Sequence, residues 1–162
     1  MNVKPTITIS LKKHLADYCR HEFTEDENGH IIINRKHDIG KLINSQISVS
    51  VVPVSQFINK DKVVFILPIN RYSDLLNKYL FVSKWSEQQI NDYIESLFHL
   101  RCREMFIEGR LKGLQQKIII ESILQHYNIK ETAISYEAVK KNDYRTNRFL
   151  RKKIAKELLR SE

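Results

Sequence analysis

The sequence predicts an α+β fold: a small mixed N-terminal module of two helices and three or four short strands, followed by a helical C-terminal part. Three observations lead there. Short β-branched runs separated by polar turns fill residues 1–82, apolar residues recur at helical spacing through residues 83–162, and the excess of positive charge lies in that second stretch. A chain of 162 residues can bury a core without disulfide or metal staples, whether as one domain or as two modules, 1–82 and 83–162.

Thr6, Ile7, Thr8 and Ile9 alternate, which predicts a half-buried strand over Pro5 to Ser10. Ser10 is placed to cap a helix from Leu11 to Phe23, where Leu11, Leu15, Tyr18 and Cys19 share a face. The acidic run Glu25-Asp26-Glu27 ahead of Asn28-Gly29 is a turn signal, and the three isoleucines of His30 to Asn34 predict a strand. Asp38 is the expected cap of a second helix in which Ile39, Leu42, Ile43 and Ile47 align; Gly40 weakens that helix by about 1 kcal/mol. Val49 to Val54 and Lys62 to Ile69, separated by Asn59-Lys60-Asp61, read as an antiparallel pair, with Pro53 favouring an edge. Arg71 to Val82 gives no clear signal.

From Ser83 the character turns helical. Ser86 with Gln89 forms a capping-box pattern, and Trp85 stands where it can staple onto Ile90. The apolar face through Ile90, Tyr93, Ile94, Leu97, Phe98, Met105 and Phe106 predicts a helix of roughly five or six turns, ending at Gly109. A further helix is expected from Leu114 to Tyr127, with Asn128 just past its end. A short turn from Asn128 to Glu131 and a cap at Thr132 or Ser135 then lead into a basic helix, an order compatible with a helix-turn-helix.

The net charge of +8 is unevenly placed: residues 1–100 carry 12 Lys and Arg against 11 Asp and Glu, and residues 101–162 carry 15 against 8. In a continuous helix Arg145, Arg148, Lys152, Lys156 and Arg160 fall within about 60° of one direction, and Lys141 joins them. Leu150, Ile154 and Leu158, in phase with Tyr136 and Val139, take the opposite side and are expected to pack. Glu157 is the only acid between Arg145 and Arg160. A merely solubilising helix mixes Glu with Lys four residues apart, so one unmixed cationic stripe implies an anionic partner. In the helix-turn-helix arrangement Tyr136, Lys140, Lys141 and Asn142 approach bases, while Arg145, Arg148 and Lys152, continued by Lys156 and Arg160, hold phosphates.

Other chemistries find less support. Strand then helix over Thr6 to Phe23 resembles the opening of ribbon-helix-helix repressors, which would imply paired strands in a DNA groove, but Glu25 to His37 intervene where that family turns directly into its second helix. Cys19, His21, His30 and His37 lie close in sequence without a zinc-ligand spacing. The four glycines form no phosphate cradle, and no nucleophile elbow or metalloprotease motif is present. Asp38, Asp61 and Asp74 would be the candidates for a nuclease-like carboxylate cluster. Two distant cysteines suit reduced thiols, and no signal-like or membrane-spanning apolar run is seen, so the expected compartment is cytoplasmic.

The expectation is therefore a non-enzymatic nucleic-acid-binding protein, DNA before RNA, of the kind that regulates transcription or serves a phage or replicon as an accessory factor. No cofactor, metal or membrane partner is expected, and the N-terminal module is the candidate for self-association or for binding a partner. The alternative is a structural or adaptor protein whose basic helix docks on an acidic protein surface.

Overall fold

Alternation builds the first strand. In β1 (Thr6–Leu11) Ile7, Ile9 and Leu11 turn inward while Thr6 stays exposed, as a period of two requires. The computed structural model describes residues 4–55, 61–68, 78–130 and 133–160; Asn59-Lys60, Ile69, Asp74 and Thr132 lie outside them. The fold is α+β, and from Lys84 onward the described residues form helices and the turns between them. Two compact units are present, residues 1–96 and 97–162, and the division falls inside the third helix.

In the first unit, α1 (Lys13–Glu22) buries Leu15, Ala16, Tyr18 and Cys19. It starts later than expected because Leu11 belongs to β1, so Ser10 lies within the strand and Lys12 holds the cap position without a side-chain bond. The Asn28-Gly29 turn forms as expected: the Asp26 carboxylate accepts the N–H groups of Asn28 and His30 at 2.9 and 2.8 Å, and Gly29 supplies a φ of 74°. Those backbone bonds, that from His30 foremost, hold the Asp26 carboxyl below its usual range. Of the predicted strand His30 to Asn34 only β2 (Ile31–Ile32) forms, with Ile31 and Ile33 buried. In α2 (Asp38–Gln46) Asp38 is the first helical residue and reaches Lys41 at 3.0 Å, the cap position passing to His37.

Strand pairing departs from sequence order. β4 (Asp61–Ile66) lies in the middle of a three-stranded sheet, antiparallel to β1 with Ile9 opposite Val63, and parallel to β2 with Ile31 opposite Phe65. The expected pairing of Val49 to Val54 with Lys62 to Ile69 does not form; β3 (Ile47–Ser50) instead pairs antiparallel with β5 (Tyr79–Val82). Burial accounts for the exchange. Val63, Phe65, Ile66 and Leu67 are all buried, which a strand achieves in a central position, whereas Val49, Val51 and Val52 remain exposed. Pro53 lies beyond the end of β3.

Helix α3 (Lys84–Leu111) begins earlier and ends later than its sequence signals. Ser83, not Ser86, caps it: the Ser83 hydroxyl accepts the Ser86 N–H at 3.1 Å. Shifting the cap by three residues turns Trp85 outward, 66% exposed, so the expected staple on the buried Ile90 is not made. One face of α3 also closes the free edge of β1. Glu87 accepts the Ser10 N–H at 3.1 Å, and Asn91 accepts the Lys12 N–H at 3.2 Å while donating to the Ser10 carbonyl at 2.9 Å. With β4 on one edge and these side chains on the other, β1 is not the free ribbon that the resemblance to ribbon-helix-helix proteins implied.

The second unit is three helices: the C-terminal part of α3, α4 (Gln116–His126) and α5 (Ala133–Leu158). Phe98, Cys102 and Phe106 of α3, Ile119, Ile120 and Ile123 of α4 and Val139 of α5 are buried. Gly109 lies inside α3 rather than ending it, and permits close approach of α4, since a Cβ there would stand 2.6 Å from the Ile119 side chain. The stop is made instead at Gly113, φ 73°, and α4 closes at Asn128, φ 50°, as its position after Tyr127 predicts.

Gly40 offers a test of tertiary packing against helix propensity. A Cβ at that position would run into the carbonyl oxygen of Asn34, a backbone atom that has little room to yield. Propensity alone predicts that Gly40→Ala stabilises α2 by about 1 kcal/mol. The contact instead predicts a loss of about 1–3 kcal/mol or more, measured by urea unfolding.

Candidate nucleic-acid interface

The candidate surface rests on how α5 is held. Asn142-Asp143 does not break the helix, because Asp143 points inward and is satisfied there. Its carboxylate, 4% exposed, accepts both Arg110 contacts at 2.5 and 2.7 Å, Gln116 Nε2 at 2.6 Å and Asn147 Nδ2 at 3.3 Å. Arg110 also lies over the Phe106 ring, 5.3 Å from its centroid. One buried acid thus joins three helices, and a buried carboxylate tolerates only an orientation that keeps such partners. The rotation of α5 about its axis is fixed accordingly.

With that rotation set, Lys141, Arg145, Arg148, Lys152 and Lys156 share one exposed face of α5 about 22 Å long, and the exposed Arg160 follows in the turn just past its end. Among the described residues none of the six pairs with a carboxylate; the ion pairs of α5 are Arg110 with Asp143 and Lys140 with Glu137. The other three expected site residues fall elsewhere. Lys140 lies about 140° from Arg145 around the helix and approaches Glu137 at 3.8 Å. Tyr136 is half-buried in phase with Val139, and Asn142 lines a groove with Arg103, Phe106, Ile107 and Leu150. Two cations missed by the sequence reading, Arg151 and Lys153, are exposed beside the stripe; the unbroken Arg151-Lys152-Lys153 run was the signal for them.

The apolar side of α5 does not behave as expected. Leu150, Ile154 and Leu158 remain 43, 55 and 66% exposed. α5 has 26 residues, about 39 Å, and α4 has 11, about 16 Å, so α5 outruns α4.

The alternative chemistries can be placed on the same structure. Among the described residues no group of three or more His, Cys, Asp or Glu side chains converges as a metal site. Cys19 is buried while His21 and His37 are exposed, and His30 approaches Asp26 at 3.5 Å. Asp38 is exposed and paired with Lys41, and Asp61 opens β4 opposite Leu11. Among the described residues no helix is long and apolar enough to cross a membrane. Comparisons with protein-family models, with curated proteins and with solved structures each return no match.

Two measurements follow from this geometry. Asp143→Asn keeps the shape and removes the charge that Arg110 and Gln116 address, and is expected to cost about 1–3 kcal/mol in thermal unfolding followed by circular dichroism. Burial pushes the Cys19 and Cys102 thiols from 9.0 up to about 12. Their folded values exceed the unfolded one, so the stability they contribute is complete below pH 9 and is lost as the pH rises from 9 towards 12. Alkylation at pH 8, read by mass spectrometry, should be slow in the native protein and fast in urea.

Proposed function

We propose that the protein is a non-enzymatic nucleic-acid-binding protein, that its polyanion is duplex DNA, and that the outward face of α5 binds the phosphate backbone. One observation carries the reading: five cations on one exposed face of α5, followed by Arg160 just past its end, with no carboxylate partner among the described residues. Like charges so arranged repel one another and gather counterions. A phosphate backbone neutralises them and releases its own condensed counterions, which supplies affinity without reference to sequence.

Lys141, Arg145, Arg148, Lys152, Lys156 and Arg160 hold phosphates in this reading. Tyr136 and Asn142, turned towards the neighbouring helices, do not support a role in base contact, so backbone positioning outweighs base readout. The succession α4, turn, α5 is compatible with a helix-turn-helix in which α5 follows a groove; a helix about 10–12 Å across suits the major groove, about 12 Å wide. Tyr144 and Phe149 are exposed aromatics on either side of these cations, about 140° apart around the helix and so short of the continuous stacking platform that single strands favour. Such a protein serves as a transcription regulator or as a phage or replicon accessory factor in the cytoplasm, where buried thiols stay reduced, and the N-terminal α+β unit mediates self-association. A second reading, an adaptor whose α5 meets an acidic protein surface, draws support from Leu150 and Ile154, exposed apolar groups that phosphates leave uncovered.

The test is a titration against fluorescent duplex DNA of random sequence at several salt concentrations, with Arg145, Arg148 and Lys152 changed together to Ala. Wild type should bind at low salt with an affinity that falls steeply as salt is added. The triple variant should bind more weakly, with a log–log salt slope shallower by about 2.7. An unchanged slope, or a wild type indifferent to DNA at low salt, sinks the proposal.

A further inference from the structure

Beside the stripe, α3 and α5 enclose a groove with polar side chains that the fold does not use. Arg103 comes from α3 and Asn142 and Thr146 from α5, while Phe106, Ile107 and Leu150 give it apolar walls. Its hollow of about 30 Å³ is room for one water molecule or one phosphate oxygen. Arg110 and Asp143, which also border it, neutralise one another. Among the described residues the side chains of Arg103, Asn142 and Thr146 make no hydrogen bond or ion pair. Thr146 does not even donate to the carbonyl four residues back, as Ser96 and Ser122 do in α3 and α4. The groove therefore carries one unmatched positive charge and two unmatched hydrogen-bonding groups.

Its place beside the stripe says what would fill it. At 100° per residue, Asn142, Lys153 and Thr146 follow Arg145 around α5 at about 60°, 80° and 100°, so the groove opens along the side of the stripe. Arg103 stands on the far wall, on a helix whose axis packs about 8–10 Å from that of α5. That sideways offset falls within the groove widths of a duplex, from about 6 Å for the minor groove to about 12 Å for the major. One strand laid along α5 meets the stripe alone. The second strand of a duplex runs to one side of it, within reach of Arg103.

We infer that this groove is a second phosphate site, in which Arg103 supplies the charge, and Thr146 and Asn142 the hydrogen bonds, for the backbone of the second DNA strand. The inference rests on the reading of α5 as a DNA-binding helix and adds to it the far strand and the helix that reaches it. A phosphate oxygen entering the hollow lies between apolar walls, where hydrogen bonds gain strength.

The experiment compares variants of the full-length protein on a random-sequence duplex and on a single strand of the same length, across a salt series. Arg103→Ala should flatten the log–log salt slope on the duplex by about 0.9, one phosphate contact, and leave the single-strand slope unchanged. Arg101→Ala is the control. It removes the same charge two residues away, where Arg101 pairs with Glu104 at 2.9 Å, and should leave both slopes as in wild type. Thr146→Val takes away a donor without a charge, so duplex affinity should fall about fivefold at an unchanged slope. Arg101 and Arg103 are both exposed, so neither substitution should move the melting temperature. Equal flattening by the two arginine variants would assign the effect to overall charge and overturn the inference. So would a slope that Arg103→Ala flattens on the single strand as well. A wild type that binds duplex, with Arg103→Ala no different from it, overturns this inference alone; a wild type indifferent to DNA overturns the reading beneath it too.

Discussion

The buried carboxylate of Asp143 is the constraint on which the C-terminal unit depends. A charge removed from water is tolerated only where its partners are fixed, and here they come from three helices: Arg110, Gln116 and, one turn further along α5, Asn147. The same bonds that hold the helices together set the rotation of α5. A rotation by half a turn would expose the carboxylate, strand Arg110 and carry the cations inward, so the exposure of the basic stripe and the burial of Asp143 are one structural decision.

That decision gives α5 two unlike faces: on one side are cations with no carboxylate partner among the described residues, and on the other the exposed Leu150 and Ile154. Neither arrangement benefits the isolated chain. Unpaired like charges raise its electrostatic energy, and exposed Leu and Ile forgo burial worth about 1.5–3 kcal/mol for each side chain fully removed from water. On the reading proposed above, phosphates relieve the first of these deficits.

The N-terminal unit shows the complementary case, in which polar side chains close a backbone. β1 has β4 on one edge, and its other edge would present open N–H and C=O groups. Glu87 and Asn91, one turn apart on α3, take the Ser10 and Lys12 N–H groups and the Ser10 carbonyl. Lys12 adds an ion pair to Glu95 a further turn along, at 2.6 Å. These bonds close the Ser10–Lys12 end of that edge to another strand.

Local chemistry was legible in the sequence. The alternation of Thr6 to Ile9, the Asn28-Gly29 turn, the end of α4 at Asn128 and the cationic phase of α5 each depend on residues within a turn or two of one another, and those interactions act whatever the rest of the chain does. The α+β class follows from such local periods. Strand partners, helix starts and the fate of each apolar face were decided only in three dimensions. β4 took β1 and β2 because the central position buries Val63, Phe65 and Ile66, Ser83 displaced Ser86 as the cap of α3, and Gly40 and Gly109 answer to close contacts with Asn34 and Ile119. Leu150 and Ile154 were expected in a core because their spacing matches one. Spacing tells which residues share a face, but only the tertiary placement of the neighbouring helices determines whether anything lies against it.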